Sequence, residues 1–374
     1  MIPKINLDLP KGPEKSKVVV AMSGGVDSST SAALVKASGY SVIGITLQLY
    51  NHGAAINKKG SCCSGQDIYD AREVASDLGI PHYVLDYQDL FKRKVIDDFA
   101  NSYMIGETPI PCVLCNEKVK FDDLYKTAKD LGADALVTGH YILTNEGKNG
   151  RQMFRAKDIE KDQSYFLFKT TKEQLDFLRF PLGSFKKDEI REIAREIGLT
   201  VSDKPDSQDI CFVPNGKYSE VLKKINPGSL KPGLLLDTSG NVLGNHEGIV
   251  NFTVGQRRGL GISSSDPLYV VKIDAENQNV VVGSKEDLKK RNIQIRDMNW
   301  IGDEKLGNNS NKEIKIKAKI RSTQEPEPAR LCFKHGKVHV SFDDHVEGVS
   351  PGQACVFYDF KNSTRVLGGG WITS

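Results

Sequence analysis

The stretch from Lys17 to Ser29, KVVVAMSGGVDSS, constrains the fold more than any other part of the chain. Its three consecutive valines predict a short strand that is buried on both faces. Two glycines and a helix-like stretch follow, and Gly39 is the expected end of that helix. In a strand, glycine turn and helix of this order, backbone N–H groups point towards one spot, which favours an anion such as a phosphate.

The glycine turn differs from the two common nucleotide-binding patterns. It lacks the lysine of G-x-x-x-x-G-K-[ST], and it contains no G-x-G-x-x-G. The seven residues SGGVDSS instead resemble the pyrophosphate loop of ATP pyrophosphatases, which cut ATP between its α- and β-phosphates and transfer AMP to a substrate oxygen. This resemblance implies that Asp27 helps to hold Mg²⁺ and that Ser23 and Ser28 bind pyrophosphate oxygens. The alternative is an ordinary glycine turn in a βαβ unit.

Strands and helices continue to alternate after this unit. Further short apolar strands are predicted over residues 40–49, 81–87 and 134–138, and an amphipathic helix over residues 66–78 separates the first two. This alternation predicts a parallel sheet with helices on both faces. Leu47, Gly139 and His140 would then lie at the carboxyl edge of the sheet, where ligands bind in open α/β folds.

Composition limits the remaining possibilities. At 374 residues the chain is long enough for two or three domains, and no apolar run approaches the length of a membrane span. The first sixteen residues are polar and contain prolines, so we expect a loose arm on a cytoplasmic protein. Because the net charge is only +3, an RNA partner would need a local basic patch. The seven cysteines indicate reduced thiols rather than a secreted disulfide framework.

Cys112 and Cys115 form a C-x-x-C pattern between a proline-containing segment and a helix predicted over residues 117–131. A turn would bring both thiols to one side, and a helix N-terminus lowers the pKa of a nearby thiol. The pattern fits a redox pair, metal or cluster ligands, a sulfur-handling nucleophile, or two buried structural cysteines, whereas zinc would lack a second ligand pair. The adjacent Cys62 and Cys63 are interpreted as loop cysteines with no shared role, and Cys211 by itself as a core cysteine.

The composition changes from about Asn226, where glycines and prolines begin to recur between short β-prone runs. This predicts a small, mainly β domain and then a second β unit. In EIKIKAKIR, residues 313–321, apolar and basic side chains alternate, so one strand face from Lys315 to Arg321 is wholly basic. That face is either a phosphate-binding surface or a solvated one that prevents edge pairing. Arg257 and Arg258 lie in a glycine-flanked loop.

Ten short segments are distributed from end to end of the chain. They are AMSGGVDSS, CCS, DAREVASDLGIPHYVLD, TPIPCVLCN, TGHY, KDQSYFL, DSQDICF, TVGQRRGLG, SPGQACVFYD and LGGGWI. Together and in this order they resemble the tRNA-specific 2-thiouridylase family. The resemblance implies ATP-dependent replacement of the C2 oxygen of the wobble uridine in tRNA by sulfur. It also implies an α/β fold with an N-terminal parallel-sheet ATP-pyrophosphatase domain (1–210), a small central domain (211–288) and a C-terminal β-barrel (289–374).

The same resemblance implies roles for individual residues. Cys115 matches the catalytic nucleophile and Cys211 the residue that carries the persulfide, and the two would form a disulfide bond after sulfur transfer. Residues implied to bind ATP are Ala21, Met22, Ser23, Gly24, Gly25, Val26, Asp27, Ser28, Leu47 and Gly139. Residues implied to meet the target base are Ile110, Pro111 and Cys112. Residues implied to contact tRNA elsewhere are His140, Lys161, Asp162, Gln163, Arg321, Ser322 and Gln353.

Two positions depart from the usual pattern of the family. Many members have an Asp, regarded as a general acid or base, where this chain has Cys112, and Ser322 replaces a more usual Tyr. Cys112, Cys115 and Cys211 together offer three thiolates, which could hold an iron–sulfur cluster with one open iron. The rival is a persulfide relay through Cys211 and Cys115. We favour the relay, because nothing in the sequence demands iron.

The implied chemistry requires ATP, Mg²⁺, a tRNA with a wobble uridine and a sulfur-donor protein, either a cysteine desulfurase or a relay protein, and it requires no membrane. Two other functions remain open. One is an adenylating ATP-pyrophosphatase ligase that acts on a small-molecule carboxylate, which would need no cysteines. The other is a non-catalytic RNA-binding protein with a relic loop, against which the intact Asp27 and Ser28 argue.

Overall fold

The computed structural model describes residues 2–50, 65–206, 210–213, 218–226, 228, 230–304, 306, 313–334 and 336–373. The interpretation of Cys62 and Cys63 concerns residues outside these ranges. The chain divides into two compact units, one of residues 1–94 and 112–216 and the other of residues 95–111 and 217–374. Within the described ranges, no helix is both long enough and apolar enough to cross a membrane.

A five-stranded parallel sheet organises the first unit, as the alternation of strands and helices predicted. Its strands are β1 Lys17–Ala21, β2 Ser41–Gln48, β3 His82–Asp86, β4 Ala135–Val137 and β7 Leu178–Arg179. Their order is β3-β2-β1-β4-β7, so the strand before the glycine turn lies in the middle, and its three valines are fully buried. An antiparallel hairpin of β5 Ile142–Gly147 and β6 Gly150–Arg155 also belongs to this unit.

Most helices in the described part of the chain belong to the first unit. In chain order the helices are α1 Val26–Ala37, α2 Gly65–Asp77, α3 Gln88–Phe91, α4 Asp97–Met104, α5 Pro111–Cys115, α6 Tyr125–Asp130, α7 Lys172–Phe177, α8 Lys187–Ile197 and α9 Tyr218–Ile225. Helix α1 packs against β1, α2 and α8, and its small side chains, such as Ala32 and Ala33, are buried there. The core of the sheet therefore fixes the helix that starts at the glycine turn.

The segment before β1 packs onto the first unit, so the expectation of a loose arm is wrong for it. Leu7 and Leu9 are buried. The Leu7 N–H donates a hydrogen bond to the Tyr40 hydroxyl, and the Leu7 carbonyl accepts one from Arg179 Nε. Apolar residues at positions 5, 7 and 9 alternate with polar ones, a strand-like pattern that the argument from overall polarity overlooked.

The helix that carries the C-x-x-C pattern begins at Pro111, and not after Cys115 as predicted. Helix α5 continues directly into a π-helical stretch over residues 116–124 and then into α6. A proline is well tolerated in the first turn of a helix, because the N–H groups there have no intrahelical partner. Cys112 and Cys115 therefore lie three residues apart on one helix and share a face, as the turn argument required.

The second unit contains a small sheet and a closed barrel. The sheet consists of β8 Gly233–Leu236, β9 Val242–His246, β10 Tyr269–Asp274 and β11 Asn279–Gly283, in the order β10-β11-β8-β9. The barrel strands are β12 Lys289–Trp300, β13 Ile314–Lys319, β14 Glu327–Lys334, β15 Lys337–Glu347, β16 Ala354–Asp359 and β17 Arg365–Ile372. They are antiparallel in the order β12-β15-β14-β13-β16-β17, and pairing of β12 with β17 closes the barrel.

Strand β13 has the predicted apolar face but not the predicted wholly basic one. Ile316 and Ala318 are buried in the barrel core, as expected. Lys319, however, is only 3% exposed. Its Nζ donates to the Ser322 carbonyl and lies 5.6 Å from the centre of the Tyr358 ring. A carbonyl and an aromatic face can accommodate a buried ammonium group, so this lysine belongs to the barrel structure.

Candidate active site

A cavity of about 450 Å³ lies at the carboxyl ends of β1, β2 and β4. Its volume lies in the range of sites that bind small molecules and cofactors. The predicted ATP-binding residues that line it are Ala21, Met22, Ser23, Gly25, Val26, Asp27, Ser28, Leu47 and Gly139. Gly24 instead packs against Asp67. The structure therefore gathers the residues implied for the nucleotide into one place.

The glycine turn is held in a defined conformation by its own hydroxyl groups. Ser28 Oγ donates to the Gly25 carbonyl at 3.1 Å and accepts from the Ser23 N–H at 3.0 Å, and the two serine hydroxyls are 3.2 Å apart. Gly24 has φ +76°, and a Cβ there would overlap the Asp67 carbonyl, so only glycine fits. Helix α1 begins directly after this turn, which leaves its first N–H groups for an anion.

Gly139 is required by the glycine turn itself. A Cβ at Gly139 would lie 2.9 Å from the Ser28 backbone nitrogen and 2.9 Å from the Asp27 carbonyl carbon. Any larger residue would therefore push the end of β4 away from the start of α1. The sequence suggested that Gly139 allows close approach to a nucleotide, and the structure shows that it first allows close approach to the loop.

Asp27 is bound by a lysine that the sequence did not point to. Lys187 Nζ donates to both carboxylate oxygens of Asp27, at 2.7 and 2.8 Å, and the Tyr141 hydroxyl donates to one of them at 2.7 Å. The Lys187 side chain is only 7% exposed. Burial and the neighbouring Asp27 carboxylate raise the pKa of Tyr141, so its hydroxyl remains a donor. The loop carboxylate is thus held in one orientation by two neighbouring side chains.

Asp206 extends this ion pair into a network. Lys187 Nζ lies 2.9 Å from Asp206 Oδ1, Lys161 Nζ lies 3.1 Å from Oδ2, and Arg191 also donates to Oδ1. Burial alone would raise the pKa of Asp206, but hydrogen bonds from Lys187 and Lys161 outweigh it and lower the pKa to about 2. Asp206 therefore remains ionised at neutral pH, and it shares Lys187 with Asp27.

Lys204 supports the glycine turn from the other side. Its Nζ donates to the Gly24 carbonyl at 2.9 Å and to the carboxylates of Asp67 and Asp70. Burial lowers the pKa of Lys204, but the two carboxylates more than compensate, and the net shift is upward. Lys204 and Asp67 also line the cavity. The turn is therefore fixed by a charged cluster as well as by its serines.

The sequence contained one signal for Lys187 that we did not use. Lys187, Ile190 and Ala194 fall on one face of α8, and all three are buried. A lysine in register with the apolar face of an amphipathic helix must have a buried partner. Lys204 and Asp206 gave no comparable signal, because they lie outside regular structure.

His140 lines the cavity, and its ring is held by one hydrogen bond and two aromatic contacts. Its Nδ1 lies 2.8 Å from Thr138 Oγ1, and its ring packs edge-on against Phe121 and Phe180. Removal from water and the charge of Lys120 lower the pKa of His140 well below its usual value. A contact between His140 and tRNA stays a prediction.

The three residues of the KDQ segment have different surroundings. Lys161 and Gln163 line the cavity, and Gln163 Oε1 accepts from the Tyr141 N–H at 2.9 Å. The Asp162 side chain is 2% exposed and accepts hydrogen bonds from the Ala156 N–H and from Ser164. Asp162 thus shapes the segment that presents its two neighbours. Contacts of these residues with tRNA stay predictions.

The three candidate sulfur-handling cysteines lie outside the lining of the nucleotide cavity. On α5, Cys112 is exposed and Cys115 is half-buried, so the interpretation of two buried structural cysteines is wrong. Cys211 is half-buried as well, and its carbonyl accepts from the Tyr50 hydroxyl at 3.2 Å. The ring of the next residue, Phe212, packs edge-on against Phe91. Cys211 is therefore anchored through its backbone and through its neighbour.

The proposed iron–sulfur site is not formed in this structure. Among the residues that the structure describes, no three Cys, His, Asp or Glu side chains are grouped closely enough to hold a metal ion. Cys112, Cys115 and Cys211 are all within the described ranges. The donor set of three thiolates therefore does not fit a cluster, and we assign it no role in the chemistry below.

Three family models together match nearly the whole chain. They are described as a tRNA methyl transferase HUP domain (residues 16–215), a tRNA methyl transferase PRC-barrel domain (residues 219–284) and an aminomethyltransferase beta-barrel domain (residues 290–372). Their order agrees with a parallel-sheet domain, a small central domain and a barrel.

Curated relatives are similar over most of their length. The tRNA-specific 2-thiouridylase MnmA of Parvibaculum lavamentivorans is 59% identical over 372 residues, which cover 98% of this chain and 93% of that protein. The protein of the same name from Bartonella bacilliformis is 58% identical over 369 residues, covering 98% and 94%. The chain belongs to the tRNA-specific 2-thiouridylase family. The resemblance carried by the ten sequence segments is confirmed.

The solved structures that match part of this chain are much less similar to it in sequence than the curated relatives are. A 4-thiouridine synthetase–RNA complex with bound ATP has a TM-score of 0.33 and 19% identity, and the alignment covers 57% of this chain and 50% of that chain. A likeness at this level supports no argument about the site.

In the second unit, Gln353 holds the segment that leads to the predicted target-base residues Ile110 and Pro111. Gln353 Nε2 donates to the Thr108 carbonyl at 2.8 Å, and the Thr108 N–H donates to the Pro351 carbonyl at 2.8 Å. Glu107 is fixed by a bidentate ion pair with Arg296. A contact of Gln353 with tRNA stays a prediction, and the structure shows that Gln353 positions this segment.

Proposed function

We propose that this protein replaces the C2 oxygen of the wobble uridine of tRNA by sulfur, using ATP to activate the oxygen and a cysteine persulfide to deliver the sulfur. The observation that carries the proposal is the pyrophosphate-type loop facing a nucleotide-sized cavity in a chain that carries Cys115 and Cys211. Membership of the 2-thiouridylase family supports it along nearly the whole chain.

In the first step the uridine O2 attacks the α-phosphorus of ATP, and the bond to the β-phosphate oxygen breaks to release pyrophosphate. The Ser23 and Ser28 hydroxyls and the N–H groups at the start of α1 bind the departing pyrophosphate. Lys187, which pairs with the loop carboxylate, stabilises the developing negative charge. This step converts a poor leaving oxygen into AMP.

Asp27 is the residue that would hold Mg²⁺. A carboxylate at the phosphate loop fits this role, because magnesium in nucleotide sites is bound by one or two carboxylates together with phosphate oxygens. The ion would neutralise charge on the pyrophosphate. In the structure Lys187 Nζ donates to both oxygens of Asp27, which fixes the orientation of this carboxylate.

In the second step the terminal sulfur of a persulfide on Cys211 attacks C2 of the adenylated uridine, and AMP leaves with the oxygen. The Cys115 thiolate then attacks the Cys211 sulfur, which breaks the S–S bond, releases the thiolated base and joins Cys115 and Cys211 in a disulfide. The two electrons gained by the transferred sulfur come from the two cysteines, so a dithiol reductant must reduce the disulfide before the next turnover.

The persulfide must be renewed by a sulfur donor, a cysteine desulfurase or a relay protein. The cytoplasm is the proposed compartment, because tRNA and ATP are available there. We assign activation to residues 1–210 and further tRNA contacts to residues 211–288 and 289–374. Ile110, Pro111 and Cys112 are assigned to the target base, and Arg321, Ser322 and Gln353 to tRNA outside it.

Two measurements test the proposal. The protein is incubated with ATP, Mg²⁺, a persulfide source and unmodified tRNA, and the tRNA nucleosides are analysed by mass spectrometry. We expect 2-thiouridine at the wobble position only when ATP and tRNA are both present. AMP release is measured in parallel. Release that is independent of tRNA and stimulated by a small carboxylate would contradict the proposal and favour the ligase function.

A further inference from the structure

The loop over residues 253–261, TVGQRRGLG, lies in the second unit and has no role in the chemistry above. It carries Arg257 and Arg258, and both are exposed. Within the described part of the chain, neither guanidinium forms a hydrogen bond or an ion pair. The other arginines of the unit contact a carboxylate or a carbonyl: Arg291 with Asp343, Arg296 with Glu107, Arg321 with Gly348, Arg330 with Asp343 and Arg365 with Asp303.

The backbone of this loop is fixed, although its two arginines are exposed. The Gly255 N–H donates to the Val270 carbonyl at 2.8 Å, and the Val270 N–H donates back to the Gln256 carbonyl at 2.9 Å. The Gln256 side chain accepts from the Thr253 N–H and donates to the Arg258 carbonyl, each at 3.0 Å. A ligand would therefore have to order only the two arginine side chains, which lowers the entropic cost of binding.

The loop is continuous with a residue that the family resemblance assigns to tRNA. A Cβ at Gly255 would lie 2.9 Å from Arg321 Nη2, and a Cβ at Gly348 would overlap the same guanidinium. Arg321 Nη2 donates to the Gly348 carbonyl at 3.1 Å. The Arg321 guanidinium thus lies against both glycines. The surface of Arg321 and the surface of the loop meet at Gly255.

We propose that this arginine loop, residues 253–261, binds the phosphodiester backbone of RNA next to the contact at Arg321. The proposal rests on the proposed function, because it takes tRNA to be the RNA. Arginine matches phosphate in a bidentate geometry, and no ion pair has to break first. Since Gln256 is occupied within the loop, contacts here position the RNA and do not read its bases.

A protein partner fits this surface less well. Val254 and Leu260, the larger apolar residues of the loop, are buried at 6% and 8% exposure. The loop therefore offers no apolar anchor of the kind that carries the binding energy in protein interfaces. Exposed, uncompensated arginines on a fixed backbone are instead what a backbone-tracking surface requires.

The test is the salt dependence of tRNA affinity, measured by fluorescence anisotropy over a range of KCl concentrations. The test variant is Arg257→Ala with Arg258→Ala. The matched control is Arg195→Ala with Arg330→Ala, which removes the same charge from exposed arginines that carboxylates already compensate. We expect the slope of log Kd against log[KCl] to fall by about 0.7 to 0.9 for each lost phosphate contact in the loop variant, and not in the control. Arg257→Lys with Arg258→Lys should keep the slope.

A loop variant with the wild-type slope would overturn the inference. The inference would also be overturned if only sulfur transfer from a donor protein became slower, while thiolation from a small persulfide stayed normal, since the loop would then bind protein. At saturating tRNA the loop variant should thiolate at the wild-type rate, because no residue of the loop touches the reacting atoms. If the wild type itself fails to thiolate tRNA, the proposed function fails, whatever the slopes show.

Discussion

The phosphate loop and the cysteine-bearing segments both belong to the first unit, and the structure assembles them to different degrees. Around the loop, serines, glycines and the Asp27–Lys187 pair are fixed by hydrogen bonds and converge on one cavity. Cys115 lies on α5, Cys211 is anchored near α3, and neither lines that cavity. The loop with its cavity is thus separate from the two cysteines, and this separation predicts that nucleotide activation and sulfur transfer can be impaired independently.

Substitution of the cysteines gives the largest expected effect and tests whether the two regions are separable. In Cys115→Ser and in Cys211→Ser, thiolation should fall at least about a thousandfold, because a lost nucleophile has no substitute. Pyrophosphate release that depends on tRNA should stay within a few fold of wild type in the same samples. If pyrophosphate release were lost together with thiolation, the cysteines would belong to the activation site, and the two regions would not be separable.

Asp27→Ala should give the opposite pattern. Pyrophosphate release should fall by about a hundredfold or more, since a magnesium-binding carboxylate contributes several kcal/mol to charge stabilisation. The affinity for tRNA should change by no more than a few fold. Asp203→Ala, which removes an exposed carboxylate of the same unit, is the control and should release pyrophosphate normally. Normal release by Asp27→Ala would contradict the assignment of the loop.

Lys187→Ala should have a smaller effect on the same step. A charge-assisted hydrogen bond contributes roughly 1.5–3 kcal/mol, so pyrophosphate release should slow by about ten- to a hundredfold and KM for ATP should rise. Lys157→Ala is the matched control, because Lys157 also pairs with a carboxylate, that of Glu189, but its side chain is 50% exposed. It should slow release by about threefold or less. Equal losses in both variants would show that Lys187 has no special position.

Particular residues show which parts of the fold and of the site could be predicted from the sequence. The strand at Val18–Val20, the turn at Gly24 and Gly25 and the helix that follows are encoded by neighbouring residues, so local pattern predicted them correctly. The pairing of Lys187 with Asp27 joins positions 160 residues apart, and local periodicity carries no information about such a pair. The burial of Lys319 was missed for the same reason, because it depends on Tyr358 in a neighbouring strand.

The start of α5 was mispredicted for a different reason. We treated Pro111 as a residue that forbids a helix, although proline excludes the helix interior and favours the first turn. The error moved Cys112 and Cys115 out of the helix that carries them. Burial of Leu7 and Leu9 was missed because overall polarity concealed a short alternating pattern. Neither error affected the residues assigned to the nucleotide.

His140 provides a test of how the wall of the cavity is packed. Its pKa in the folded protein is lowered, so between that pKa and about 6.5 the unfolded chain binds a proton that the folded chain does not. The free energy of unfolding should therefore decrease as the pH falls below about 6.5, by at most about 1.4 kcal/mol per pH unit from this group.

Urea unfolding of His140→Asn at pH 5 and pH 7.5 checks this expectation. The variant has no imidazole at position 140 that could take up a proton. Its loss of stability between the two pH values should therefore be smaller than that of the wild type. His345→Asn, at an exposed position, is the control and should keep the wild-type difference. If His140→Asn lost as much stability on acidification as the wild type, His140 would be solvated, and its packing against Phe121 and Phe180 would be contradicted.

The smallest expected effect is that of Cys112→Asp, which concerns the less assembled of the two regions. Cys112 is exposed in the first turn of α5, where an aspartate interacts favourably with the helix dipole by about 0.3–1 kcal/mol. The variant should therefore fold at least as stably as the wild type. A carboxylate can also act as a general acid or base, which a neutral thiol does poorly. If sulfur is transferred by the persulfide relay, the rate of tRNA thiolation by Cys112→Asp should stay within a few fold of wild type.

The measurement separates the relay from an iron–sulfur cluster. Both proteins are purified without oxygen, their visible spectra and iron contents are recorded, and thiolation is assayed with a persulfide source alone. The relay requires that iron-free protein is active and that Cys112→Asp keeps this activity, in agreement with the absence of a three-ligand metal group among the described residues. If only brown, iron-loaded protein were active, and Cys112→Asp lost both the colour and the activity, tRNA binding would have to assemble a cluster from the three thiolates. The cysteine region would then complete a metal site on binding substrate, rather than bring two sulfur atoms to one base.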